Sequence, residues 1–117
     1  MKTRNVLIAC LMGIAVLGAA GVARAGDVRM FVRHEVVDYS AWRKSYNEFV
    51  STQKKNGVFY QAVYQSADDP NDVTVIHDFH RAEKAKAFAA LPELKAAMEK
   101  SGVKGAPQIW YTTKSVK

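Results

Sequence analysis

Three histidines, His34, His77 and His80, are the side chains of this chain best suited to taking up and releasing a proton near neutral pH. His77 lies in Val73-Thr74-Val75-Ile76-His77-Asp78-Phe79-His80, a run rich in β-branched and aromatic residues that reads as a strand. Alternation puts Val73, Val75, His77 and Phe79 on one face of it, and Thr74, Ile76, Asp78 and His80 on the other. His77 and His80 therefore do not form a metal pair, because residues three apart on a strand point to opposite sides. His34 holds the matching place in an earlier strand, Val28 to Val37, on a face shared with Met30, Val32 and Val36. A partly buried imidazole can act as acid or base, so His77 and His34 are the candidate catalytic pair. The plainer alternative is two core histidines bonded to tyrosine or backbone.

Aromatic side chains supply the candidate ligand-binding set: Trp42, Tyr46, Tyr60 and Trp110. All four also read as ordinary core residues. Asn47, next to Tyr46, is a candidate for the rim of the same pocket. No nucleophile, metal or phosphate motif is written in the chain. Asp68-Asp69-Pro70-Asn71-Asp72 is acidic but lacks the spaced ligands and terminal Glu of a calcium loop, so it reads as a solvated turn. No cofactor is expected, with haem held by His34 or His77 as the alternative.

The elements that must position these groups follow from periodicity. After the first strand, Asp38 is a good N-cap for a helix over Tyr39 to Lys55, in which Trp42, Tyr46, Phe49 and Val50 recur at helical spacing. Asn56-Gly57 ends it. Val58 to Gln65 is a second strand with apolar groups on both faces, and the acidic turn leads from it into the His77 strand. Arg81 to Lys100 is helical but carries Pro92, which predicts a break before that residue. Gln108 to Thr113 is the last strand. The order β-α-β-β-α-β predicts an α+β, ferredoxin-like plan: a four-stranded antiparallel sheet with helices on one face. With the first and third strands taken as parallel neighbours, His34 and His77 enter one cavity beneath the Trp42/Tyr46 helix. The other sheet face, carrying Phe31 and Ile76, needs cover, and a homodimer is the economical way to supply it.

The N-terminus reads as a secretory signal peptide over residues 1–25. It has a basic start (Met1-Lys2-Thr3-Arg4), an apolar stretch from Val6 to Val22, and an Ala23-Arg24-Ala25 cleavage site. Cleavage there leaves a single domain, 26–117, in the periplasm or outside the cell, with no membrane span. Lys2, Arg4 and Arg24 depart with the segment, so the formal net charge falls from +6 to +3. That modest charge, with no recognised motif, argues against nucleic-acid binding. The single cysteine, Cys10, also departs, so the mature domain is held by packing without a disulfide.

Val32-Arg33-His34-Glu35-Val36-Val37-Asp38-Tyr39-Ser40-Ala41-Trp42-Arg43 resembles the opening of dimeric α/β-barrel proteins related to antibiotic biosynthesis monooxygenases. Asp69 to Val75, Leu91 to Met98 and Gly102 to Pro107 fit the same group. The resemblance implies a dimeric α/β barrel with a small-molecule pocket between each sheet and its own helices. It also implies an activity, if any, of the cofactor-independent monooxygenase or cyclase kind on an aromatic or apolar substrate. The competing expectation is a non-catalytic ligand-binding or structural envelope protein.

Overall fold

The computed structural model describes residues 22–115, so all but the last few residues of the expected export segment fall outside the described range. Eight elements follow in order: β1 (Val28–Val36), α1 (Tyr39–Glu48), α2 (Val50–Lys55), β2 (Tyr60–Gln65), β3 (Asp72–Phe79), α3 (Ala82–Ala89), α4 (Pro92–Lys100) and β4 (Val103–Thr113). The four strands form one sheet in the order β2-β3-β1-β4, antiparallel at every pairing. This is the α+β, ferredoxin-like plan. Among the described residues, no helix is long and apolar enough to cross a membrane.

The inner face of the sheet carries Val28, Met30, Val32 and Val36 from β1 and Val73, Val75 and Phe79 from β3, all buried. Helices cover it through Trp42, Tyr46, Ala85, Phe88 and Leu94. Local signals set the helix ends. Asp38, extended at φ −149°, accepts a 2.9 Å hydrogen bond from the Ala41 amide through Oδ2. Leu91, at φ −65° and ψ 130°, is extended because Pro92 excludes the helical conformation before it, and Pro92 then opens α4.

Three expectations need correction. The helix over Tyr39 to Lys55 is two helices, parted at Phe49, whose amide donates to the Tyr46 carbonyl at 3.0 Å. That three-residue closure tightens the chain and re-aims the second piece. The last strand starts at Val103, five residues before the expected Gln108, because Gly105-Ala106-Pro107 is accommodated as an irregularity in the β1–β4 ladder. Finally, β1 and β3 run antiparallel, not parallel, and this changes the relation between the two histidines.

Candidate functional site

In the β1–β3 register, Met30 lies opposite His77 and His34 lies opposite Val73. Both histidines face inward, but they stand four register positions apart, about 13 Å along the sheet. A parallel arrangement was the basis for bringing them together. The observed one puts them at two ends of a single cavity, with Val32 and Val75 between them. The cavity lies between the sheet and the helices and measures about 50 Å³; its walls include His34, Trp42, Tyr46, Gln53, His77 and Phe88.

An aromatic row links the two ends. His34 meets Trp42 edge-on at 5.5 Å, Trp42 stacks on Tyr46 at 4.9 Å, and Tyr46 stacks on His77 at 6.0 Å. Residues 42 and 46 are one helical turn apart, which is why both rings reach the same face of α1. At the His77 end the row becomes a hydrogen-bonded chain. The Tyr46 hydroxyl donates to Gln61 Oε1 at 2.9 Å and lies 2.9 Å from His77 Nε2. A phenol has one proton to give, so His77 Nε2–H donates to the Tyr46 oxygen and Nδ1 keeps a bare lone pair.

Three buried polar atoms of the cavity residues have no partner: His77 Nδ1, His34 Nδ1 and Gln53 Oε1. Gln53 is 1% exposed, and its carbonyl oxygen is an acceptor with nothing to accept from. Unsatisfied buried groups cost roughly 1–3 kcal/mol each, so three around one small cavity call for polar partners that the described residues do not supply. Burial shapes the protonation states as well. It pushes His77 down to about 4 and Tyr46 up to about 12, and it lowers His34. Near neutral pH the group is an uncharged imidazole beside an uncharged phenol.

Of the aromatic candidates, Trp42 and Tyr46 line the cavity, while Tyr60 and Trp110 lie on the outer face of the sheet. Trp110 stacks on Phe31 with centroids 5.0 Å apart, and Tyr60 lies under the Arg29 guanidinium at 5.8 Å. Strand alternation decides this. Trp110 pairs with Phe31 and Tyr60 with Asp78, both outward-facing positions. Asn47 is exposed on α1. His80 is outside the cavity, stacked on Phe59 at 4.1 Å and 2.8 Å from the Asp27 carboxylate.

Two residues of the site escaped the sequence reading. Gln53 continues the 42, 46, 49 stripe at helical spacing, so its position was legible; its polarity hid it among the surface residues. Gln61 belongs to β2, whose two faces look alike in apolar content, and only the register with β3 turns it inward. Among the described residues no cluster of three or more His, Cys, Asp or Glu is placed to hold a metal ion. With its walls as they stand, the cavity of about 50 Å³ has no room for a haem macrocycle beside His34 or His77.

At the level of sequence, no family model and no curated relative matches the chain. Solved structures do match. A protein from Bordetella bronchiseptica assigned to the antibiotic biosynthesis monooxygenases superposes with a TM-score of 0.68 at 12% identity, over 78% of this chain and 99% of that one. SnoaB, a cofactor-independent oxygenase from Streptomyces nogalater, gives 0.65 at 11% identity, over 80% and 97%. A protein from Nitrosomonas europaea with the same assignment as the first gives 0.63 at 11% identity, over 80% and 94%. The chain thus has the fold of the antibiotic biosynthesis monooxygenase proteins.

Proposed function

We propose that this chain is an exported, homodimeric protein that binds a small apolar or aromatic molecule between its sheet and helices. On that molecule its acid/base groups support cofactor-independent chemistry of the cyclase kind, or of the monooxygenase kind, in which the deprotonated substrate supplies the electrons to O2, one oxygen atom entering the substrate and the other leaving as water. The observation that carries this reading is the Gln61–Tyr46–His77 chain, in which His77 lines the cavity and its buried Nδ1 has no partner. A neutral imidazole held in one tautomer can accept a proton from a bound hydroxyl or activated C–H. Imidazolium is costly in this setting, and the substrate anion formed beside it offsets that cost by ion pairing. The likeness to a cofactor-independent oxygenase supports the same chemistry, and the N-terminal segment supports export.

One observation favours a purely binding role. The same burial that keeps His77 neutral also makes it a weak base while the cavity is empty. Purifying the protein from its native envelope and identifying the co-purifying molecule by mass spectrometry tests the main reading. A small apolar or aromatic compound is expected, released on denaturation. A protein that emerges empty, and stays inert to a panel of such compounds, sinks it.

The homodimer has its own support. The outer sheet face exposes Tyr60, Tyr64 and Trp110 together, beside Phe31 and Ile76. Four of its charges are already matched internally, Arg29 with Asp78 and Arg33 with Asp72, each pair through two hydrogen bonds. A second copy of this face can cover the rings without breaking either of those two ion pairs. Light scattering is expected to give twice the monomer mass at micromolar concentration, and Trp110→Lys is expected to give the monomer. A stable wild-type monomer at that concentration overturns the pairing.

A further inference from the structure

The cavity is too small for the kind of molecule its walls invite. At 50 Å³ it has room for roughly three or four waters, whereas an apolar cavity of about 150 Å³ is what takes one benzene. The space needed lies next door. A groove of about 360 Å³ runs between α4 and β4, floored by Ala89, Val103, Pro107 and Ile109, with Lys95 and Glu99 among its lining residues. Met98 is a wall of both spaces. It is only partly buried, and a methionine is the side chain most able to change shape without leaving its helix. With Met98 swung aside, cavity and groove join into a site of the size that small-molecule pockets ordinarily have, about 300–1,000 Å³.

Both spaces are lined mainly by carbon, but among the described residues the buried polar atoms without partners all belong to residues of the cavity. Gln53 Oε1 and His77 Nδ1, both acceptors, are unpartnered on residues of the cavity, as is His34 Nδ1 at its other end. The groove floor offers carbon. We infer that Met98 is the gate of the binding site, and that the ligand is an elongated neutral molecule. Its hydroxyl or N–H head is held by Gln53 and His77, and its apolar body crosses Met98 into the α4–β4 groove. This rests on the cavity being the ligand site.

The test uses 4-pentylphenol as the probe, with binding followed by NMR on the purified protein. The probe is expected to shift both the His77 ring protons and the Val103 and Ile109 methyls. Met98→Ala removes the gate and is expected to tighten binding about tenfold, the factor recovered when a site otherwise open about a tenth of the time is held open. Met98→Trp fills the passage and is expected to weaken binding by a similar factor. Met98 is not a fully buried residue, so both variants are expected to fold, which thermal melts check. Shifts at His77 alone, or dissociation constants indifferent to Met98, overturn the gate and leave the cavity reading standing. No shift at either end removes the cavity reading along with the gate.

Discussion

His77→Ala is expected to cut turnover of the bound molecule by about a hundred- to ten-thousand-fold, the usual weight of one positioned acid or base, while the Michaelis constant changes only a few-fold. The variant loses Nδ1, the lone pair that would take the proton, but leaves Trp42 and Tyr46 in the wall. Tyr46→Phe is the companion. It keeps the ring and its stacking but removes the hydroxyl that fixes the tautomer of His77 at 2.9 Å. Its loss is expected to fall mainly on the catalytic constant and to shift the pH profile. His34→Ala is expected to do far less, because the register sets His34 about 13 Å away. Equal losses at His34 and His77 would contradict the one-ended site. Wild-type protein that binds its ligand and never converts it would leave the binding role as the function.

The fold was legible because each element carries more than one signal for the same structure. β1 alternates cleanly, Asp38 caps α1, and Pro92 breaks the second helical stretch where a proline must. The hidden features were those decided by tertiary register. Phe49 continues the apolar spacing of α1, and nothing local announces that the helix tightens there. It does so where Phe49 packs toward Phe88 at 6.3 Å, a contact no sequence window contains. The early start of β4 is hidden for a similar reason. Gly105 takes φ +70° within the strand, and a Gly-Ala-Pro run ordinarily marks a loop.

The candidate site was half legible. Strand alternation alone put His34 and His77 inward, and helical spacing alone put Trp42 and Tyr46 over them. The relation between the histidines depends on strand direction, and the antiparallel plan already dictates it: as neighbours in such a sheet, β1 and β3 cannot be parallel. Tyr60 and Trp110 show the limit from the other side. Each sits in a strand with large side chains on both faces, so burial preference gives no vote, and pairing with Asp78 and Phe31 decides. Gln53 shows that a polar residue on an apolar stripe is worth more notice than the stripe itself. It occupies a core position where an apolar residue would pack without loss, and its carbonyl is left without a partner.

Acid should unfold this protein earlier than its carboxylates alone would require. In the unfolded chain His77 titrates near 6.5, whereas in the folded protein burial holds it down to about 4. Above 6.5 both states are neutral there and the residue contributes no pH dependence. Between 6.5 and 4 the unfolded state binds the extra proton, so stability falls as the pH falls, by about 3 kcal/mol from this residue across the window. His34, also lowered by burial, adds to the fall in the same direction. Asp72, held below its usual 3.8 by the Arg33 guanidinium, adds its share only under more acidic conditions. For a small domain with about 5–15 kcal/mol in hand, the histidine contribution alone is a large fraction of the total. Urea midpoints at pH 7.5, 6.0 and 4.5, at one protein concentration, are expected to drop steeply in the wild type and much less in His77→Leu. Part of the slope left in that variant belongs to His34, and His34→Leu is expected to reduce it; Asp27 and Asp72, lowered by His80 and Arg33, supply the remainder at the acid end. Parallel pH curves for wild type and His77→Leu would mean that His77 takes up its proton without unfolding. The cavity would then admit water freely, and the neutral, desolvated imidazole on which the acid/base reading depends would be gone.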